Sequence, residues 1–483
     1  MNEHQPYFYT GDGICPPWFE GNVFTPKKYD ASFPFKPRGK IYTLSSNPTK
    51  EIENPFDLRN LRIIDPQEVL RALQELEDAN KNPQTANRPT ICVIATGGTI
   101  ASAMSKEKQT EGEVVASVDI QTIFEFVGRF YKTKYNYSAF SFNPLIDSSQ
   151  MKLDYYSDMV ISMSYIWMKM STGLRRNFRG FMITHGTDTY SPSLTRIANL
   201  VGANLDFSIG GVCAQETMES SFTDVSDNVG RAVATLERLF EVGRKTVFGY
   251  AGGSAGGAYT PSGMIKISDA DVRAFDSPAM DLIIDASNVQ RARAINLPFF
   301  DAYSQIRHPQ LDHFQPLIIR GTINSRIIEA QMDIPDGEYT RIIQAFAPDV
   351  TAVIVKTYGS FTFDESQVDD IVKGTRERNM LLFATNPFPT GSIEHRYSAA
   401  LHLLRQGAIP LHMLPHAAVV KLLYGEGIFS QDKDLIEAFM TSNNFVGEQP
   451  KIWTHRPLKE GISILPMGQP RESIPDTELE VYP

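Results

Sequence analysis

Two threonine-bearing strings stand out in this chain, TGGTIAS at residues 96–102 and THGTDT at residues 184–189. Each follows an apolar run, 91–95 and 180–183, that predicts a buried strand. Because ligands bind at the edge of an open α/β sheet where parallel strands end, we expect the two strings to face each other there. A threonine hydroxyl becomes a nucleophile when a neighbouring group accepts its proton. The pair therefore predicts an α/β fold with a polar site at the sheet edge.

The bulk composition restricts the class of protein. A length of 483 residues predicts two or three domains. A formal charge of −10 disfavours a general nucleic-acid binder. The three cysteines, Cys15, Cys92 and Cys213, are few and odd in number, which is typical of a reducing compartment. With no basic leader and no apolar run of membrane-spanning length, we expect a cytoplasmic protein that does not bind membranes.

The chain divides into five predicted segments. Residues 1–88 form an N-terminal extension, an aromatic arm followed by a helix at 65–80 that Asp65 caps and Pro66 begins. Residues 89–285 are the larger, catalytic domain, 286–315 a hinge, 316–427 a smaller α/β domain, and 428–483 a polar tail.

Alternating strands and helices predict a doubly wound, mostly parallel sheet in the larger domain and a second α/β unit after the hinge. In the larger domain the strands are expected at 91–95, 180–184, 207–213 and 246–250, with a helix at 228–242. In the smaller domain the strands are expected at 327–330, 352–356 and 380–384, and the helices at 399–406 and 417–424.

Hydroxyl and acidic side chains in the two strings have a catalytic and a structural interpretation. Glycines before Thr99 can aim its hydroxyl and a backbone N–H at one carbonyl, although a threonine there also caps helices. Asp188 beside Thr187 can bind an ammonium or polarise water, and both residue types are common caps. Adjacent serines, Ser148 and Ser149, can donate two hydrogen bonds to a carboxylate, as ordinary loop serines also can.

Lys266 lies in an apolar setting and leaves two alternatives open. Its side chain either extends from a strand edge to solvent, which we favour for the residue alone, or is partly buried beside an acid. A buried lysine with a lowered pKa could take a proton from a hydroxyl.

Two further features suggest chemistry but favour structural interpretations. The glycine-rich run 252–257 could cradle a phosphate, but it lacks the lysine of a phosphate loop and is more typical of a hairpin. The histidines near the C-terminal end of the second unit lack zinc-ligand spacing, so we expect no metal site there; they are His395, His402, His412 and His416.

Together these strings resemble the L-asparaginase/glutaminase family of threonine amidohydrolases. The resemblance covers roughly residues 89–427 and is carried by the two threonine strings, DSSQM at 147–151, Lys266 with AFDSP at 274–278, GAIP at 407–410, and Ala417 with Lys421-Leu422. It implies a flavodoxin-like larger domain, a smaller α/β C-terminal domain and no metal or organic cofactor. It also implies a small amino-acid substrate and sites between subunits of a homodimer or homotetramer.

The resemblance also implies roles for individual residues. Thr99 matches the usual nucleophile, while Thr187, Asp188 and Lys266 match a second group that relays protons and activates water. The substrate-binding positions that it implies are Gly98, Ser148, Ser149, Asp188 and Ala214, with the two serines holding the α-carboxylate, Asp188 the α-ammonium and the Ala214 carbonyl the substrate amide.

The sequence departs from the family pattern at two places. Residues 101–130 contain no tyrosine, where the family has one on a mobile flap, and YGSFT at 358–362 replaces a Gly-Asn pair. We therefore expect an amidohydrolase of L-asparagine or a related small amide and keep two alternatives. One is an ammonia-supplying asparaginase-like subunit of a tRNA-dependent amidotransferase, and the other is a non-catalytic amino-acid sensor.

Overall fold

The computed structural model describes residues 41–43, 56–104, 114–116, 122–123, 135–201, 205–243, 245–252, 256–277, 284–285, 293–294, 318–320, 327–348, 350–388, 398–411, 413–429 and 432–442. Most of the aromatic arm, the flap at 105–113, most of the predicted hinge and the chain after 442 lie outside these residues. The chain divides into two compact units between residues 322 and 323.

The unit within residues 36–322 contains the larger sheet and the helices that cover it. Its strands are β1 Ile41–Thr43, β2 Thr90–Gly97, β3 Ser102–Met104, β4 Val114–Ala116, β5 Asn136–Ile146, β6 Phe178–Thr184, β7 Ser208–Val212, β8 Val247–Ala251, β9 Gly257–Tyr259, β10 Ile265–Lys266, β11 Phe275–Asp276, β12 Ile284–Asp285, β13 Arg293–Ala294 and β14 Ile318–Arg320. Its helices are α1 Pro66–Lys81, α2 Leu153–Lys169, α3 Thr172–Asn177, α4 Tyr190–Val201 and α5 Val225–Glu241.

The eight-stranded sheet has the order β13-β12-β9-β8-β7-β6-β2-β5, and its five strands from β8 to β5 are parallel. The four strands predicted for the larger domain are confirmed as β2, β6, β7 and β8. Their continuous apolar runs suit strands that are buried on both faces. In the register of β2 and β6, Ala95 lies opposite Thr184, so both threonine strings begin at the same edge.

Helices cover both faces of the parallel strands. On one face, α5 packs its buried stripe, which includes Val229, Ala232 and Leu236, against β6, β7 and β8. On the other face, α4 approaches the strands so closely that a Cβ at Gly211 would lie 2.4 Å from the Leu194 side chain. The larger unit is therefore a three-layer α/β structure, as predicted.

Helix α1 has the predicted cap and lies against the sheet. The Asp65 carboxylate accepts a hydrogen bond from the Gln67 amide at 2.9 Å, and Pro66 occupies the first turn. From this helix Arg71 donates to the Ala139 carbonyl of β5 at 3.0 Å. The helix that we assigned to an N-terminal extension is thus part of the larger unit. The short strand β14, which we placed in the smaller domain, also belongs there and pairs with β1.

The unit that begins at residue 323 has its own parallel sheet, in the order β15-β16-β17-β18. The strands are β15 Ile327–Glu329, β16 Ala352–Lys356, β17 Leu381–Thr385 and β18 Ile409–Leu411, and the helices are α6 Glu338–Gln344, α7 Glu365–Glu377, α8 Ser398–Arg405, α9 Pro415–Phe429 and α10 Lys433–Ser442. The three strands and two helices predicted here are confirmed, although α9 is longer than its prediction.

Helix α10 lies within the stretch that we predicted to be a polar tail. Ile436, Phe439 and Met440 form a buried apolar stripe, and the Phe439 ring stacks on Tyr424 of α9 at 5.8 Å between centroids. The helix has only ten residues, so its apolar stripe is hard to recognise within a segment of polar composition. Among all described residues, no helix is long and apolar enough to span a membrane.

A buried carboxylate joins the segment before α1 to helix α2. Asp158 is fully buried, and its Oδ2 accepts hydrogen bonds from the amides of Arg62, Ile63 and Ile64 at 2.8, 2.6 and 3.1 Å. Three consecutive N–H groups thus converge on one charged acceptor, which strengthens each bond.

We expect Asp158→Ala to lower the free energy of unfolding by about 3 kcal/mol, because three consecutive amides, one buried and two partly buried, lose a shared acceptor. Asp154→Ala, one turn earlier on α2, removes the partly exposed ion pair with Arg62 and should cost about 1 kcal/mol or less. Urea unfolding of both variants measures the difference, and equal losses would contradict a special role for Asp158.

Candidate active site

The two threonine strings touch through their glycines. Gly98 follows β2 with φ +80°, and a Cβ there would lie 2.3 Å from both the nitrogen and the Cα of Gly186. Only glycine permits this backbone approach, since an added carbon would overlap the neighbouring chain. Thr99 comes next and begins a 3₁₀ turn at Thr99–Ala101. The side chain of Thr99 lies outside the described part of the structure.

A third loop, which follows β5, contacts the THGTDT string at the same edge of the sheet. A Cβ at Gly186 would lie 2.5 Å from Ser148 Oγ, and Thr189 Oγ1 donates to the Ser148 carbonyl at 2.8 Å. Ser148 is buried, whereas Ser149 is exposed and donates its amide to the Asp147 carboxylate at 2.8 Å. The structure therefore brings Gly98, Ser148 and the THGTDT string to one edge of the sheet.

Lys266 holds the acidic and hydroxyl groups of this edge together. Its Nζ donates to Thr187 Oγ1 at 3.1 Å and lies 2.7 Å from both Asp188 Oδ1 and Asp269 Oδ1. The lysine side chain is 19% exposed, compared with 67% for Asp188 and 90% for Asp269. Of the two alternatives for Lys266, the structure supports the partly buried lysine beside an acid.

The pKa of Lys266 is not lowered in the way that would let a buried lysine take a proton from a hydroxyl. Burial alone would lower that pKa, but the hydrogen bonds and charges of Asp188 and Asp269 outweigh it and raise the pKa. Lys266 is therefore an ammonium, and each of its three hydrogens meets an oxygen. Because Thr187 accepts one of them, its own hydroxyl hydrogen is left to donate to another group.

Ala214 lies on the next loop, which follows β7. This loop is held by a carboxylate that we did not predict from the sequence. Asp224 accepts from the amides of Gln215 and Glu216 at 3.1 Å, and Asn228 Nδ2 donates to the Cys213 carbonyl at 2.8 Å. Burial raises the pKa of Asp224. An aspartate directly before the amphipathic pattern of α5 was the available signal.

The histidine of THGTDT is a second residue that our predictions omitted. His185 is fully buried, with Nδ1 2.8 Å from the Gly186 carbonyl and Nε2 3.0 Å from Met151 Sδ. Burial lowers its pKa to about 4, so the ring is neutral at pH 7. It joins the Ser148 loop to the Thr187 loop through Met151, the last residue of DSSQM.

The remaining predictions concern features away from this edge. The glycine-rich run connects β8 and β9, which pair as an antiparallel hairpin, as expected. Within the described residues no group of three His, Cys, Asp or Glu could hold a metal ion, and His395 and His412 fall outside them. Residues 358–362 form the 3₁₀ turn Gly359–Phe361 of the other unit.

Comparison with known proteins agrees with the fold. Residues 90–295 match the family model described as asparaginase, N-terminal. The thermostable L-asparaginase from Thermococcus kodakarensis superposes with a TM-score of 0.59 at 18% identity, covering 74% of this chain and 99% of that one. L-asparaginase I from Vibrio cholerae gives 0.55 at 19% identity, covering 75% and 99%. No curated protein sequence matches the chain. At these identities the structural likeness shows the fold.

We expect Gly98→Ala to lower the free energy of unfolding by about 3 kcal/mol or more, because it adds a backbone overlap to an unfavourable φ. Gly243→Ala is the matched control, since Gly243 also has positive φ (+68°) but nothing within 4 Å of an added Cβ. It should cost only about 1 kcal/mol. Urea unfolding distinguishes the two, and equal costs would contradict the close approach to Gly186.

The neutral burial of His185 should make stability pH-dependent. Its folded pKa of about 4 lies below the ordinary 6.5, so the unfolded chain takes up a proton first as pH falls. This contribution is complete above pH 6.5 and should fall by about 2 kcal/mol between pH 6.5 and 5. Unfolding curves of His185→Gln should have a shallower pH slope by this amount. An unchanged slope would show that His185 is not the group responsible.

Proposed function

Because residues 90–295 match the asparaginase N-terminal family model, we propose that this protein is an amidohydrolase that converts L-asparagine, or a related small amide, to the acid and ammonia. The observation that carries the proposal is the contact of Lys266 Nζ with both Thr187 Oγ1 and Asp188 Oδ1. A hydroxyl that accepts from a lysine ammonium bears negative charge more easily than a free hydroxyl, which favours its use in proton transfer. Capping alone requires no such lysine.

In the proposed reaction, the Thr99 oxygen attacks the side-chain amide carbon and ammonia leaves, so that an acyl-enzyme ester forms. Water then attacks the ester carbon, and the Thr99 oxygen departs with a proton. Thr187 is the group through which protons pass, with the Lys266 ammonium stabilising negative charge on its oxygen. Backbone N–H groups after β2 would stabilise the carbonyl oxygen as it becomes charged.

Substrate binding is assigned to charges and hydroxyls of the same edge. The exposed carboxylate of Asp188 would hold the α-ammonium of an amino acid, and Ser148 and Ser149 would hold its α-carboxylate. The carbonyl of Ala214, on the loop fixed by Asp224, would accept a hydrogen from the substrate amide. Discrimination between asparagine and glutamine depends on one methylene, which is worth about 1–3 kcal/mol in a pocket.

Ammonia release from L-asparagine, D-asparagine and L-glutamine tests the proposal. We expect Thr99→Ala and Thr187→Ala each to lower kcat by about a thousandfold or more, because each removes a reacting hydroxyl. Thr235→Ala is the control, since that buried hydroxyl donates only to the Arg231 carbonyl of its own helix, at 2.8 Å, and should leave the rate within about twofold.

Two results would contradict the proposal. One is wild-type protein that releases no ammonia from any of these amides, and the other is full activity in the Thr187 variant. Size-exclusion chromatography of the same preparation measures whether the chain forms the homodimer or homotetramer that we expect.

A further inference from the structure

We propose that Asp269 is a positioning residue for Lys266, which holds the lysine as an ammonium with one hydrogen directed at Thr187; this inference rests on the proposed function of that site. The residue that follows Lys266 by three positions was not among the predicted site residues. Its carboxylate lies as close to Nζ as that of Asp188, at 2.7 Å. Lys266 therefore stands between two carboxylates, one from each neighbouring loop.

The geometry of an ammonium makes the second carboxylate consequential. Nζ has three hydrogens, and its three oxygen partners are Thr187, Asp188 and Asp269. Because two of the hydrogens are donated to carboxylates, the third hydrogen is donated to Thr187 in this arrangement. Removal of the Asp269 carboxylate would free one hydrogen and let the ammonium rotate or bind water.

The loop that carries Asp269 is itself attached to the loop of Ala214. Gln215 Nε2 donates to the main-chain carbonyl of Asp269, and the Gln215 amide donates to Asp224 at 3.1 Å. A continuous chain of hydrogen bonds therefore runs from the beginning of α5 through Gln215 and Asp269 to Lys266. This chain places the Asp269 carboxylate independently of Asp188.

The ion pair between Asp269 and Lys266 contributes little to the stability of the fold. The Asp269 side chain is 90% exposed, and ion pairs of exposed groups add little to stability because solvent screens them. Its effect on the charge of Lys266 is more direct, because an opposite charge in contact favours the protonated amine.

The groups around Lys266 predict the direction of the change. Asp188 faces it from the loop after β6, Asp269 from its own loop, and the buried Cys213 thiol from the end of β7; across the β10–β11 pair, Lys266 lies opposite Phe275. Burial raises the pKa of Cys213, so this thiol stays neutral and leaves the two carboxylates as the counter-charges. Loss of Asp269 should therefore lower the pKa of Lys266.

The same loop provides a matched control. Asp271 is exposed and two residues further on, and its Oδ1 accepts from the Arg273 amide at 2.9 Å. Asp271→Asn removes the same charge and retains an oxygen at that position. Asp269→Asn and Asp271→Asn therefore differ in contact with Lys266 and not in net charge.

The deciding experiment measures the reactivity of the Lys266 amine directly. Wild-type protein and both variants are treated with trace acetic anhydride from pH 7 to 11, and modification of the Lys266 peptide is read by mass spectrometry. We expect Asp269→Asn to increase modification at pH 9 by about fivefold, with its midpoint at lower pH, and Asp271→Asn to remain within about twofold of wild type. Equal changes in the two variants, or no change in either, would overturn the proposal.

Ammonia release across pH provides the second measurement. In Asp269→Asn the limb of the kcat/KM profile that depends on Lys266 should move to lower pH, and Asp269→Glu should restore part of the wild-type profile. A merely structural aspartate would lower the rate without moving the limb. Because the labelling experiment needs no turnover, it still decides the role of Asp269 if the protein proves inactive on every amide, a result that would overturn only the proposed function.

Discussion

The arrangement of the site depends on one steric constraint, the contact between the backbones of Gly98 and Gly186. Gly98 leaves β2 with positive φ, and the chain after β6 passes where a side chain would otherwise be. The Ser148 side chain then packs against Gly186, so the loops that follow three strands meet at this point. The hydroxyls and acids of these loops are close to one another because the glycines have no Cβ atom and let the backbones approach.

Charge is organised around this contact in two ways. Near solvent, Lys266 neutralises exposed carboxylates and presents a hydrogen to Thr187. Beneath it, His185 is kept neutral by burial and packs between the loops as a polar spacer, with Met151 and the Gly186 carbonyl at its two nitrogens. The charged groups therefore lie on the solvent side of the edge, whereas the histidine beneath them is neutral and buried.

The sequence predicted the parts of this molecule that repeat a local pattern. Apolar runs identified β2, β6, β7 and β8, and the helical spacing from 228 onward identified most of α5, which begins three residues earlier, at Val225. Helix α10 was not predicted because its apolar stripe is short. Lys266 could be singled out, but the direction of its pKa depends on Asp188, which is 78 residues distant, and on the turn that brings Asp269 back to it. Such contacts follow from the fold and have no local signature.

Helix α1 also has a consequence for how the protein behaves in a crowded solution. Strand β5 ends the order of the eight-stranded sheet, and an edge strand exposes backbone groups that can template pairing with another chain. Arg71 occupies the Ala139 carbonyl, and Glu75 accepts from the neighbouring Ser138 hydroxyl. The helix thereby occupies one backbone acceptor of the strand and places side chains over it, which opposes growth of the sheet by intermolecular strand addition. A segment that precedes the first strand of this sheet thus covers part of it.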